Sequence, residues 1–230
     1  MPRGAFITFD GGEGAGKTTQ IAALSRLLSD AGRPVRVFRE PGGTDVGERI
    51  RAILLDPSCS RLDARAELLL YEAARAQLVS ERILPALDEG CVVICDRFSD
   101  STVAYQGYGR GLDLDVIGDV DGFATRGLVP DRTLLLEIDP TLGLSRAVSG
   151  HRPDRLERAG GAFHERVHEG FARLSTRHPD RIRVIAVRDS ASDTLQAVLR
   201  ALADLSALPA HEVLASLFER DRARYLGDLA

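Results

Sequence analysis

Residues 6–20, FITFDGGEGAGKTTQ, run from an apolar stretch into a glycine-rich turn and out into a polar helix opening. Gly11, Gly16, Lys17 and Thr18 fit the spacing G-x-x-x-x-G-K-[ST]. The apolar run predicts a buried strand. The segment TTQIAALSRLLSDAG, apolar at helical spacing up to Gly32, predicts a helix. In that strand–turn–helix context the backbone N–H groups of the turn can wrap phosphate oxygens, and the helix N-terminus adds the positive end of its dipole. Lys17 is expected to reach the β- and γ-oxygens of a nucleoside triphosphate and Thr18 to ligate Mg²⁺. The expected contacts to a nucleoside triphosphate are therefore Gly11, Gly12, Glu13, Gly14, Ala15, Gly16, Lys17, Thr18 and Thr19.

Lys17 is the one lysine in a chain with 30 basic residues; the others are arginines. A cradle of close backbone N–H groups suits a compact ammonium better than a planar guanidinium. The same count excludes a guanine-reading N-K-x-D motif, which needs a second lysine. The 230 residues are 44% hydrophobic, 28% charged and 5% aromatic, which describes a globular chain with room for one α/β domain. A net charge of −4 offers no global basic field for a nucleic acid polymer. No apolar run is long enough to span a bilayer, and the N-terminal one is too short for a signal peptide. Cys59, Cys91 and Cys95 lack metal-site spacing and are expected as reduced thiols of a cytoplasmic protein.

Working outward, strand-like and helix-like segments alternate. PVRVFRE, CVVICD, DRTLLLEID and RIRVIAV predict four further strands. VGERIRAILLD, AELLLYEAARAQLVSERILPALDEG, PTLGLSRAVSG, AFHERVHEGFARLSTRH and DTLQAVLRALADL predict helices, the second of them long and stopped by Gly90. The expected fold is α/β: a P-loop NTPase fold with a five-stranded parallel sheet covered by helices on both faces. One domain is expected over 1–208, with an amphipathic helical extension over 209–230.

Candidate sites lie where the strands end. FREPGGT, residues 38–44, follows the second strand at the sheet's carboxyl edge, where ligands bind in this architecture. After the third strand, Asp96 can hold Mg²⁺ directly or through water, and Arg97 can grip a phosphate bidentately. The glycine-rich stretch beyond it, expected as an ordered loop, carries Ser101, Thr102, Tyr105 and Gln106, which can hydrogen-bond a base. Tyr71 and Arg75 stand four apart on one helix face, a ring beside a guanidinium. SGHRPDRLERAGGAF, residues 149–163, is dense in arginine and punctuated by glycine and proline, as a closing loop would be.

In this order, GGEGAGKTTQ, REPGGT, EAAR, DRFSDSTVAYQG, PDRTLLLEID and DRLE resemble the thymidylate kinase family, from about Phe6 to about Leu205. The resemblance implies a fold of the nucleoside-monophosphate-kinase type, ATP and dTMP as substrates, Mg²⁺ as cofactor, dTDP as product in dTTP biosynthesis, and a homodimer formed through helices. It implies that Arg97 and Arg51 contact the dTMP phosphate and that Tyr71 stacks on thymine. Arg75 faces the thymine carbonyl, and Thr102 and Gln106 meet the base. Tyr105 lies under the deoxyribose. Pro41 belongs to the thymine-methyl wall, Glu13 to the sugar and metal region, and Glu40 and Asp96 to the metal; Phe38, in the same FREPGGT stretch, is a further expected substrate contact. With no arginine in the phosphate loop, the lid over about 149–160 would supply the catalytic one, either Arg152 or Arg155. The rival readings are another nucleotide kinase or a slow regulatory ATPase.

Overall fold

The computed structural model describes residues 3–147 and 154–227. Five parallel strands, β1 (Phe6–Gly11), β2 (Val35–Arg39), β3 (Val92–Asp96), β4 (Arg132–Glu137) and β5 (Ile182–Ala186), pair in the order β2-β3-β1-β4-β5. The helices between and after them are α1 (Lys17–Asp30), α2 (Asp45–Leu55), α3 (Ala64–Leu78), α4 (Leu84–Asp88), α5 (Ser99–Thr102), α6 (Leu114–Thr125) and α7 (Pro140–Ala147). They continue with α8 (Gly161–Arg177), α9 (Ala191–Ala201), α10 (His211–Arg220) and α11 (Arg222–Leu226). All five strands stand where the apolar runs predict them. The chain leaves β1 toward β2 and β3 on one side and returns to β4 and β5 on the other, so a crevice opens beyond the carboxyl ends of β1 and β3.

The strand side chains alternate between two cores. Ile7 and Phe9 pack with Leu24, Leu27 and Leu28 of α1 and with Leu195, Val198 and Leu199 of α9. Phe6 faces the opposite way, onto Leu78, Val79, Ile83 and Phe98. Thr8 is fully buried, and its hydroxyl shares a 2.8 Å hydrogen bond with that of Thr133. Covering on both faces is complete in the sheet centre only. Val37 of the edge strand β2 is 47% exposed, because an edge strand has neighbours on one side alone.

Three segments depart from the sequence expectation. The long predicted helix is present, but Val79–Ile83 forms a π-helical turn between α3 and α4. Pro85 stands just beyond it and has no N–H to return to the preceding turn, so a wider turn accommodates it. The glycine-rich stretch expected as a loop is helical: α5 runs into a second π-helical turn, Val103–Gly109. Helix α6 follows, capped by Asp113, whose carboxylate accepts from the N–H groups of Asp115 and Val116.

The C-terminal segment forms two short helices rather than one. Leu214, Phe218 and Tyr225 are buried in the same core as α1 and α9. Tyr225 donates 2.9 Å to Asp30, and Arg224 pairs with the other oxygen of that carboxylate at 2.8 Å. Among the described residues no helix is long and apolar enough to cross a membrane. Cys91 and Cys95 are buried thiols and Cys59 is half-buried; none is bonded to another.

Candidate active site

The turn after β1 is built on backbone conformations that side chains resist. Gly14 and Gly16 have φ of 66° and 82°, in the left-handed region. At Gly14 a Cβ would come within 2.1 Å of the Gly143 carbonyl oxygen, so this loop packs directly on α7. Lys17, 8% exposed, folds back so that Nζ donates to the carbonyl oxygens of Gly12 at 2.8 Å and Gly11 at 3.2 Å. Its pKa falls to about 8. Burial is the main cause and Arg97 adds to it, while Glu13, Asp96 and Asp10 act in the opposite sense. An ammonium whose partners among the described residues are carbonyl oxygens is ready to turn to a phosphate.

Arg97 begins the turn after β3 with φ 68°, an uncommon backbone for a non-glycine residue. The strained turn aims its guanidinium back across β1. One nitrogen donates to Glu13 at 2.6 Å; the other reaches the Gly11 carbonyl at 2.9 Å and the Ser101 hydroxyl at 3.2 Å. The guanidinium carbon lies 5.1 Å from the centre of the Tyr105 ring, and the Tyr105 hydroxyl donates to Glu13 at 3.2 Å. Burial alone would raise the Glu13 carboxyl, but Arg97 and then Lys17 outweigh it and hold the pKa at about 2.

A cavity of about 430 Å³ runs from this loop to α3, lined along the way by Thr18, Asp96, Arg97, Tyr105, Tyr71 and Arg75. At its deep end Arg75 is 1% exposed and surrounded by carboxylates. Two of its nitrogens contact the same Glu40 oxygen, at 2.8 and 2.7 Å. The third pairs with Glu72 and reaches the Thr102 hydroxyl at 2.9 Å and Asp121 at 3.0 Å. Burial pushes the Glu40 pKa up to about 7 against the pull of Arg75, with Glu72 and Asp121 adding like charge. At the other end of the cavity, Asp96 keeps a buried carboxylate oxygen, Oδ1, without a hydrogen-bond partner among the described residues. Together with Thr18 it suits a small dication that shares its remaining positions with phosphate and water.

A triphosphate loop joined by one cavity to a second, arginine-floored pocket is the geometry of a kinase with two nucleotide substrates. A family model described as thymidylate kinase matches residues 9–198. The chain belongs to the thymidylate kinase family. Among curated members, the thymidylate kinase of Deinococcus radiodurans is 50% identical over 185 residues, covering 80% of this chain and 89% of that one. That of Gloeobacter violaceus is 50% identical over 199 residues, covering 86% and 93%. The crystal structure of thymidylate kinase from Ehrlichia chaffeensis superposes with a TM-score of 0.72 at 32% identity, covering 87% of this chain and 100% of that one. Membership makes the chain a nucleoside monophosphate kinase with the P-loop fold of that class.

The cavity brings together most of the residues that the thymidylate kinase resemblance singled out: Glu13 to Thr18, Glu40, Pro41, Arg51, Tyr71, Arg75, Asp96, Arg97, Thr102, Tyr105 and Gln106. Arg51 donates to the Pro41 carbonyl at 2.9 Å, which ties α2 to the REPGGT turn. Gly11 and Gly12 line a smaller cavity on the other side of the loop. Thr19 lines neither cavity. Phe38 is corrected. Its side chain packs partly buried on the second core, because alternation along β2 turns it away from the acceptor cavity. Glu40 is drawn to Arg75 rather than standing open for a metal, although its Oε1 has no partner among the described residues. Arg155 is held by α2 and α3. Its guanidinium does not line the cavity but bonds the Leu54 carbonyl at 2.8 Å and pairs with Glu67. Arg152 lies outside the described residues.

Several partners were not singled out in the sequence: Asp10, Glu67, Glu72, Asp121, Arg39 and Arg146. Glu72 had a visible signal, three residues before Arg75 on the same helix face. Asp10 had none, although it is the last residue but one of β1, next to the loop. It is fully buried, and Ser101 donates to its Oδ1. Burial first, and the Asp100 charge next, push its pKa from 3.8 to about 7 against Ser101, Arg97 and Lys17. A raised folded-state pKa contributes stability that is complete below the unfolded value near 4 and is lost as pH rises through about 7. Asp10→Asn keeps an acceptor for Ser101 and cannot ionise. It is therefore expected to narrow the gap in unfolding free energy between pH 5 and pH 8, measured by urea titration at both; an unchanged gap would show that Asp10 does not titrate in this range.

Proposed function

We propose that this chain transfers the γ-phosphoryl group of ATP to dTMP, giving ADP and dTDP for dTTP synthesis, with Mg²⁺ as cofactor. The observation that carries the reading is Arg97, held between the phosphate loop and the Tyr105 ring at the point where the two halves of the cavity meet. ATP would lie with its phosphates in the loop Gly11–Thr19, and dTMP with its base between Tyr71 and the Arg75 end. Arg97 and Arg51 would hold the acceptor phosphate in line. Phosphoryl transfer has a loose transition state with charge on the equatorial oxygens, so positioning and cationic groups supply most of the acceleration. Mg²⁺ held by Thr18 and Asp96, with the phosphates completing its shell, would neutralise part of that charge. A phosphate monoester with a second pKa of about 6 is already ionised at neutral pH, so no general base is assigned.

The direct test is incubation with Mg-ATP and dTMP, dUMP, dCMP or thymidine. Phosphorylation of dTMP to dTDP is expected. ADP release independent of any acceptor would instead favour a regulatory ATPase. Lys17→Ala is expected to lower kcat by about 10²–10³, the usual loss for one preorganised cationic or N–H contact to a transition state; near-normal turnover would remove Lys17 from the chemistry.

The pairing of Arg155 with Glu67 divides the lid's roles. Arg155 would anchor the lid beside the acceptor, which leaves Arg152 as the candidate for the catalytic arginine. Arg155→Ala should then raise the KM for dTMP about tenfold, while Arg152→Ala should lower kcat by about 10³, the lower range for an arginine finger. Steady-state kinetics with the two effects exchanged would reverse the assignment.

Residues 1–208 are proposed as the kinase domain and 209–230 as a helical extension, in a chain placed in the cytoplasm. The assembly proposed is a homodimer through α3 and α6. On these neighbouring helices Leu69, Val116 and Phe123 are 57%, 54% and 88% exposed, and Gly118 and Gly122 leave open space beside them. Phe123→Asp is expected to convert a dimer to a monomer in sedimentation velocity at micromolar protein; no change in mass would place the interface elsewhere.

A further inference from the structure

Glu67, the carboxylate of α3 that holds Arg155, gathers other donors as well. Glu67 is fully buried, and among the described residues four hydrogen bonds converge on it. Its Oε1 accepts from Gln106 Nε2 at 2.8 Å and Arg110 Nε at 3.1 Å. Its Oε2 accepts from Arg110 at 3.1 Å and from Arg155. These donors come from the π-helical turn, the segment after it and the lid, all meeting one side chain. Glu67 also stands four residues before Tyr71 and eight before Arg75, so one face of α3 presents all three.

The protonation state of this carboxylate decides what Gln106 can offer. Burial by itself would favour the neutral acid, but the hydrogen bonds from Arg110 and Gln106 and the charges of Arg110 and Arg155 outweigh it and hold the group below its ordinary pKa. An ionised carboxylate only accepts hydrogen bonds. The amide of Gln106 must therefore turn its NH₂ toward Glu67, whichever way round nitrogen and oxygen are drawn. Gln106 is 1% exposed and lines the cavity. The end of its amide left for a ligand is the carbonyl oxygen, an acceptor.

We propose that Glu67 is a specificity-determining positioning residue: it locks the Gln106 amide so that the pocket offers an acceptor to the N3–H of a thymine-type base. This rests on the reading that places the base of dTMP in this pocket. Thymine and uracil carry a hydrogen on N3. Cytosine carries a lone pair there, so its N3 would face an oxygen with no proton between them. A buried site built around one donor–acceptor pattern rejects the ligand that leaves its polar groups unmatched. Glu67 touches neither substrate; it acts through Gln106, and through Arg155 it fixes the lid beside the same pocket.

The test compares kcat/KM for dTMP and dCMP in the full-length protein. The ratio isolates base reading, because a lid effect falls equally on both acceptors. Gln106→Ala is expected to lower the ratio at least tenfold. Glu67→Gln, nearly isosteric but able to donate as well as accept, frees the Gln106 amide to turn over. It is expected to lower the ratio about tenfold, chiefly through a higher KM for dTMP. If Gln106→Ala lowers the ratio and Glu67→Gln leaves it intact, Glu67 does not set the amide, while base reading by Gln106 stands. If Gln106→Ala leaves the ratio intact, the base is not read there and the proposal falls with that reading. A measurement on the unaltered sequence decides the matter even if Glu67→Gln fails to fold. In ¹⁵N-labelled protein, the Gln106 side-chain NH₂ signals, identified by their loss in Gln106→Ala, should be protected from exchange without ligand and nearly unmoved by dTMP. Signals protected only when dTMP is added would mean that the NH₂ faces the ligand, and would overturn the proposal.

Discussion

A guanidinium taken out of water has to be met by carboxylates, and this requirement organises the whole acceptor side of the molecule. Arg75 meets Glu40, Glu72 and Asp121; Arg97 meets Glu13; Arg110 and Arg155 meet Glu67. Each cluster joins elements far apart in sequence. Each also fixes a long side chain that would otherwise sample many rotamers, at an entropic cost of about 2 kcal/mol when a ligand had to order it. The pocket is therefore stiff before any nucleotide arrives, which is the condition for electrostatic preorganisation.

The sheet makes these meetings possible. Because β1 lies between β3 and β4, the loop after β1 and the turn after β3 end side by side. Gly11 can then hand its carbonyl oxygen to Arg97 and Lys17 alike. The polar network continues beneath. Asp10 joins Ser101, and the neighbouring Asp100 takes both ends of Arg181 and the Thr133 hydroxyl, which in turn meets Thr8. These hydrogen bonds tie α5, β1 and β4 together under the cavity, although Asp10 Oδ2 has no partner among the described residues.

Much of this was legible in the chain. The apolar runs of the five strands, the glycine spacing before Lys17 and the position of DRFSDS after a strand gave the architecture and the phosphate end of the site, since each depends on local periodicity or local backbone geometry. The helical state of Ser99–Gly109 was not legible, because its glycines read as a loop while packing on α8 makes it helical; Gly109 lies against Phe163 and Val167. The side on which Phe38 packs was not legible for a related reason. The motif around it is a site motif, but strand alternation decides which of its side chains turn inward.

The sequence by itself determined the class of the protein: a phosphate loop whose single lysine no arginine could replace, and the ordered motifs of a thymidylate kinase. Only the tertiary structure decided which charges stand together. Carboxylates such as Glu67 and Asp121 look like any solvated acid on a helix until folding removes the water around them. Once buried, as Glu67 is, or partly so, as Asp121 is, they must find guanidinium or amide donors, and those donors lie 39 to 88 residues away for Glu67 and 46 for Asp121. A local pattern cannot encode a partner at that distance, so the electrostatics of the pocket appear only when the chain is closed.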